Sequence, residues 1–505
     1  MAYGYKSPNR DQLYLLPPSI ADWLPGDHLV WLVLDVVSMM DLSAFHARHR
    51  NDGAGRAAYD PAMMLALLLY AYCVGLRSSR RIARACRGDL AFMVICADVV
   101  PEHDAIGRFR ADHEEAIEDV FVDVLAMCGR AGLASLGTIA IDGTKIASDA
   151  ALDQNRSESA IRAEVERILS ESATADDAEA SQPALQGEVE EALPRPGGRL
   201  ARLQKALAEI EAERAERKGQ EDEKAARLAA DAAGGRRPRG RAPADPTAAL
   251  RHAEAGLVAA KARGEAATTR LSRLEATAAR HRAEEALAAA ADKAAAAPPA
   301  PERQANTTDP ESAIMKTASG WVQGFNAQAA VNGHQVVLAP SVTKDHNDAN
   351  QLVPMMEAVG TNVAAAGIAE AVGVVLADAG YWSEDNATAP GPDRLIATRK
   401  DWKQRRAARE MGTTSGPPPD DAGPAEAMEH RLRTEEGAAA YGLRSCTVEP
   451  VFGQAKENRG IRRFMRRGLA AAESEWSFIC TSSNVLKLFA HSGGHRLDEI
   501  LAPRA

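Results

Sequence analysis

The sequence predicts an α/β protein in three parts: a helical N-terminal segment, a strand-bearing core, and a long helical hairpin inserted into that core. Three observations predict it. Apolar residues before residue 135 recur at helical spacing. Between Thr138 and His491 the patterning runs strand, hairpin, helix, strand, strand, helix. Between Ser157 and Gln304 the composition turns to Ala, Glu and Arg with few aromatics, which suits helices with little core of their own. The 505 residues are 46 % hydrophobic and 26 % charged, so the chain as a whole can bury real cores and wholesale disorder is excluded. The formal charge is −10, and any polyanion must therefore be held by local basic patches.

Within residues 1–135, Asp27 to Met40 carries one apolar helical run, and Pro61 opens a second that should stop at Gly75. A short helix from Ser78 to Cys86 places Arg77, Arg80, Arg81, Arg84 and Arg87 on one broad face. That face suits phosphates or plain solvent equally. A helix from Asp104 to Cys128 closes the segment. Residues 136–156 hold the first core strand, Thr138 to Ile146, with Asp142 near its end.

In the insertion, 157–304, Leu200, Leu203, Leu207 and Ile210 keep heptad spacing, as do Leu250, Leu257, Leu271 and Leu274. The spacing predicts two antiparallel arms joined at Gly234–Arg241 and ended by Pro298, Pro299 and Pro301. The core resumes over 305–400. Trp321–Val331 and His334–Val342 flank Asn332-Gly333, a two-residue hairpin signal, followed by a helix over Gln351–Val363 and strands over Ala371–Ala377 and Arg394–Thr398. Residues 401–436 are Pro-, Gly- and charge-rich and read as a mobile loop or small insertion. Helices over Val448–Asn458 and Glu475–His491 belong to the last part, 437–505.

Several function classes find no support. The six cysteines form no Cys-x-x-Cys pair or close framework, and scattered histidines such as His103 and His334 add no zinc spacing, so reduced structural thiols are expected. No P-loop pattern points to a nucleotide cofactor. The apolar run Ala62–Val74 is too short to span a bilayer, and Met-Ala-Tyr-Gly-Tyr-Lys opens no signal peptide, so a cytoplasmic protein is expected.

Three carboxylates stand where apolar elements give way to polar chain: Asp142 and Asp378 at strand ends, and Glu449 at a helix start. An acid inside an apolar run is costly unless paired or metal-bound, although a lone one is commonly a turn or cap residue. Convergence of all three would suit hard divalent cations and phosphoryl transfer. Lys456 follows Glu449 by seven residues, two helical turns, and Arg459, Arg462, Arg463, Arg466 and Arg467 extend a basic track.

The segments Asp142-Gly-Thr-Lys-Ile, Ala377-Asp378-Ala-Gly-Tyr381-Trp382 and Tyr441…Arg444…Glu449…Lys456 together resemble bacterial insertion-sequence transposases of the DDE type. The resemblance is greatest to the group named eleven-eighty-two, related to the insertion-sequence-four superfamily. Asp309-Pro-Glu-Ser, Gln323–Val331, Tyr59-Asp-Pro61 and Ser78-Ser79-Arg80 match as well, so it spans nearly everything outside 157–304 and 401–436. It implies a ribonuclease H-like catalytic core, with Asp142 on the first strand, Asp378 after the fourth and Glu449 on a later helix. It implies that these three are catalytic and bind two Mg²⁺ ions, with Mn²⁺ able to substitute.

It also implies that Tyr441, Arg444, Lys456, Arg459, Arg462 and Arg463 contact DNA, and that the helical N-terminal domain binds terminal inverted repeats through Arg77, Arg80, Arg81 and Arg84. Four residues separate Arg444 from Glu449 where related signatures have three, which leaves the role of Arg444 least secure. Trp321 and Trp382 are candidates for base stacking, and Arg236, Arg237, Arg239 and Arg241 for flanking DNA; core, rim or solubilising roles serve them as well. The implied partners are double-stranded DNA, both repeats and target, and a second copy of the chain in the DNA complex, at the nucleoid of a bacterial cytoplasm. A non-catalytic regulatory derivative and a nuclease without strand transfer stay open as alternatives.

Overall fold

The computed structural model describes residues 19–47, 58–97, 99–180, 198–238, 245–298, 302–317, 319–400 and 410–501, with residues 243, 403 and 406. Arg239, Arg241, Pro299, Pro301 and the opening hexapeptide lie outside the described residues. The chain divides into two units: Met1–Asp153 with Glu311–Ala505, and Gln154–Pro310.

The first unit is built on one sheet. Its strands are β1 (Thr138–Ala147), β4 (Ala313–Thr317), β5 (Gly320–Asn332), β6 (Val337–Thr343), β7 (Val374–Ala377) and β8 (Asp393–Ile396); β2 (Asn155–Ser157) and β3 (Gln304–Asn306) belong to the second unit. The order is β4-β5-β1-β7-β8, with β6 pairing the edge of β5 opposite β1. β4, β5 and β6 pair antiparallel, β5 pairs antiparallel with β1, and β7 and β8 run parallel to β1. Continuous apolar runs such as Ile139-Ala-Ile141 and Val375-Leu-Ala377 suit strands covered on both faces, and all six residues are buried.

The cover comes from helices distant in sequence. Leu469–Ser492 is buried nearly all round, its many small polar residues included, and it meets β6 as well as the N-terminal helices Pro61–Cys73 and Glu114–Arg130. Its polar side chains serve the sheet: Trp476 Nε1 donates to Gln328 O at 2.8 Å, and Asn484 exchanges two 2.8 Å bonds with the Val337 backbone. Pro61–Cys73 starts as its sequence dictates, with the Asp60 side chain capping Ala62 N and Pro in the first turn, and the chain turns at Gly75 with φ +77°.

Four expectations are corrected. The helix expected over Asp104–Cys128 is two, His103–Asp112 and Glu114–Arg130, broken at His113. The hairpin does not turn on Asn332-Gly333: Asn332 Oδ1 accepts from His334 N and Val336 N, and the positive φ falls on Gln335, giving a four-residue connection before β6. Part of 401–436 is folded, because Pro424–Leu432 forms a helix with Met428 and Leu432 buried and Arg431 paired to Asp393 at 2.6 Å. The arginine face before Cys86 is also split. Arg80, Arg81 and Arg84 are exposed, whereas Arg77 is 8 % exposed and donates to Glu475 Oε1 at 2.8 Å and Arg463 O at 2.7 Å. Arg77 is a packing residue.

Among its described residues the second unit has a two-stranded sheet, β2 with β3, and four helices rather than two arms: Glu158–Ala180, Arg199–Ala233, Pro246–Glu265 and Arg270–Ala295. Ile161, Leu203, Ala206 and Ile210 form one small core, and Ala232, Ala255 and Ala259 another. The second expected arm breaks at Ala266–Thr269, where Thr269 and Ser272 make a reciprocal cap, and its two halves pack together. Leu271 and Leu274 are 68 % and 62 % exposed, so the heptad there marks no buried seam. Arg236 and Arg237 are exposed, the former 3.2 Å from Asp231.

Removing Arg77 strands a buried carboxylate, so Arg77→Ala is expected to cost about 3–5 kcal/mol of unfolding free energy. Exposed Arg80→Ala should stay within about 0.5 kcal/mol. Urea denaturation of the two variants checks the difference.

A candidate active site where two parallel strands part

Pairing between β1 and β7 ends at Ile141 opposite Ala377, and the next residue on each strand is an aspartate. Two carboxylates thus stand at one level on neighbouring strands, and Asp142, expected at a strand end, lies within β1, which runs on beside β5 to Ala147. Asp142 Oδ1 accepts from Gly143 N at 2.8 Å, and Asp378 Oδ1 from Gly380 N at 2.8 Å. Burial, and then the nearby Asp378 charge, push the Asp142 carboxyl up to about 7, against the pull of Arg444 and the Gly143 amide.

Arg444 ties the third acid to this pair. Its guanidinium donates to Asp142 Oδ2 at 3.0 Å and lies 3.5 Å from Glu449 Oε1, with the arginine buried and Glu449 55 % exposed. Leu443 and Val448 bracket the short helix Arg444–Thr447, and Pro450 sits in the first turn of Glu449–Gly453, which opens the next helix at the acid. The helix expected over Val448–Asn458 then widens into a π-turn at Gln454–Asn458, a form often found at functional sites. From that turn Lys456 reaches back to β1, donating to Thr144 Oγ1 at 2.5 Å and Lys145 O at 3.0 Å, and burial lowers its pKa. Asp142, Asp378, Glu449 and Arg444 are therefore grouped where β1 and β7 stop pairing, and Lys456 holds β1 two and three residues farther on.

Other expected residues are placed differently. Arg459 turns inward and donates to Ser482 Oγ at 2.6 Å and Ser483 Oγ at 2.5 Å; burial brings it down to about 10, and it holds helix Leu469–Ser492 rather than offering a DNA contact. The basic track is not one free cationic face. Arg462 pairs with Glu457 at 2.5 Å, Arg463 and Arg467 with Asp149 at 3.7 and 3.0 Å, and Arg466 with Glu114 at 2.5 Å. Tyr441 is half-buried against the main core, as is Trp382, while Trp321 is exposed.

Sequence reasoning missed Asp348. Its Oδ1 accepts from Asn326 Nδ2 at 2.7 Å and Gln328 Nε2 at 2.8 Å, and Lys145 Nζ stands 3.7 Å away. Tyr381, wholly buried, donates its hydroxyl to Gln328 Oε1. The signal was present: Asp345-His-Asn-Asp348 follows β6, another acid just past a strand.

Among the described residues no three carboxylate, histidine or cysteine side chains already stand as a closed metal cage. The donors nonetheless fit a hard divalent cation. They are oxygens, the buried Asn326 Oδ1 meets no donor, and methyl groups at Gly143 and Gly380 would collide with these same oxygens.

A carboxyl held near 7 against an unfolded value of about 3.9 stabilises the fold while protonated, and that contribution is lost as pH rises through 7. Metal-free protein is expected to lose melting temperature between about pH 5 and pH 8, and Asp142→Asn to lose less of it. Calorimetric melts across that range check the slopes; equal slopes would refute the assignment.

No helix among the described residues is long and apolar enough to cross a membrane. No curated protein and no solved structure matches the chain. Two family models do: residues 18–112 match one described as "Transposase domain (DUF772)", and residues 417–489 one described as "Transposase DDE domain". The second match contains Tyr441, Arg444, Glu449 and Lys456, whereas Asp142 and Asp378 lie outside both. The two matches, in the helical N-terminal segment and the C-terminal helices, support an insertion-sequence transposase.

Proposed function

We propose that this chain cuts DNA at the terminal inverted repeats of an insertion sequence and joins the ends to target DNA, using Asp142, Asp378 and Glu449. The observation that carries the reading is the pair of aspartates at one level just where β1 and β7 stop pairing, with Arg444 linking the first to Glu449. A ribonuclease H-like core of the eleven-eighty-two group is supported by the strand order β6-β5-β1-β7-β8, in which the first three alternate and the last two run parallel to β1.

In this reading the three acids would hold two divalent cations, Mg²⁺ or in its place Mn²⁺. When bound, such ions activate water and then a DNA 3′-hydroxyl and stabilise the leaving oxygen of the phosphodiester. The chain's own side chains supply orientation and charge. Arg444 holds Asp142 in place and balances part of its charge in the half-buried pocket. Lys456, anchored on Thr144 two residues beyond Asp142, would offer an ammonium along the same strand for a backbone phosphate. Exposed Arg80, Arg81 and Arg84, with Arg462 and Arg463, would contribute the sequence-independent part of DNA binding. A second copy of the chain would serve the second transposon end, and the site of action would be the bacterial nucleoid.

The test is cleavage of a labelled duplex carrying the element's terminal repeat, with Mg²⁺ or Ca²⁺, by wild type and Glu449→Gln. Cutting at the repeat boundary with Mg²⁺, lost in the variant, is the expected result. Specific binding without any cutting would replace this reading by a regulatory derivative, and cutting without joined product by a nuclease.

A further inference from the structure

We propose that Asp348 is a fourth acid of this site and supplies a carboxylate ligand to the divalent cation, with Asn326 Oδ1 beside it; the inference rests on the metal-dependent reading above. The two oxygens of Asp348 are treated differently by the fold. Oδ1 is fixed by two amide N–H groups, from Asn326 and Gln328, with Lys145 close by. Oδ2 receives no hydrogen bond and faces Gly380, where a methyl group would lie 3.2 Å from it and 2.9 Å from Asp378 Oδ1. One glycine position thus separates an unengaged carboxylate oxygen from the second of the strand-end aspartates.

Gly143 does the same on β1. A methyl group there would sit 2.3 Å from Gln328 Nε2, 2.7 Å from Asp348 Oδ1 and 2.9 Å from Asn326 Oδ1. Neither Gly143 nor Gly380 has a positive φ, so no backbone requirement calls for glycine at either position. What the two positions need is the missing side chain, because the Gln328 amide and the oxygens of Asp348, Asn326 and Asp378 pack directly against them. Asn326 is fully buried, yet its Oδ1 meets no donor and lies against Gly143, close to Asp348 Oδ1. A buried acceptor without a partner costs free energy that a cation would recover. Tyr381 completes the support: its hydroxyl binds Gln328 Oε1, which turns the Gln328 amide N–H toward Asp348 and fixes the carboxylate, as outer residues around metal ligands commonly do.

The experiment is electron paramagnetic titration of the full-length chain with Mn²⁺ alone, for wild type, Asp378→Asn, Asp348→Asn and Asn326→Asp, with circular dichroism to verify folding. Asp348→Asn keeps the shape and the Oδ1 acceptor but removes the charge. Mn²⁺ affinity should fall about tenfold or more in it, and rise in Asn326→Asp. Wild-type affinity in Asp348→Asn beside a loss in Asp378→Asn would overturn the role of Asp348 and leave the wider reading standing. Absence of Mn²⁺ binding by wild type, or equal binding by wild type and Asp378→Asn, would overturn both. Should Asp348→Asn fail to fold, Asn326→Asp decides: tighter binding upholds the proposal, and unchanged or weaker binding overturns it.

Discussion

The parallel pairing of β1 with β7 stops after Ile141 and Ala377, and the chain places a carboxylate immediately beyond the stop on both strands. Two like charges brought together at the edge of a covered sheet repel and are desolvated, which is why Asp142 titrates so far above an ordinary aspartate. Everything nearby answers that cost. Arg444 is buried to face Asp142, backbone amides of Gly143 and Gly380 donate to the two aspartates, and the Lys145 ammonium interacts with Asp348 and Asp142. A site that stores unfavourable charge in this way is one in which a cation has something to gain.

The scaffold can bear the cost because the sheet is locked from elsewhere. Helix Leu469–Ser492 runs across it, using Trp476 and Asn484 to satisfy backbone groups of β5 and β6. The same helix receives two buried cations, Arg77 through Glu475 and Arg459 through the hydroxyls of Ser482 and Ser483. These arginines join the N-terminal helices, the π-turn and the last long helix into one unit. The segments of the two family matches, 18–112 and 417–489, meet directly there, since Tyr72 O accepts from Arg459, whose side chain holds residues of the last long helix.

Much of this was legible because local pattern decides it. β-branched runs gave β1 and β7 and singled out Asp142 and Asp378, although Asp142 lies within β1 and only Asp378 ends its strand; Pro61 and Gly75 framed a helix by their backbone chemistry. What sequence could not supply was the partner of a polar face. Arg77 and Arg459 share helical or near-helical spacing with exposed arginines, and contacts to a later helix, with Tyr72 for Arg459, draw them inward. Leu271 and Leu274 failed in the opposite sense: heptad spacing survives although no apolar surface covers it. Asn332-Gly333 marked a real hairpin, with a connection longer than two residues because the Asn332 side chain caps two amides and the positive φ falls on Gln335. Asp348 escaped because its meaning depends on Asn326 and Gln328, which β5 brings across from β1.

The central claim is that the acids at the parting of β1 and β7 form a cation site. Its most direct measurement is the anomalous difference map of crystals grown with Mn²⁺. The account predicts a peak between the carboxylates of Asp142 and Asp378, accompanied by withdrawal of the Arg444 guanidinium from Glu449. A well-ordered site with no peak there, and Arg444 still bridging Asp142 and Glu449, would contradict it.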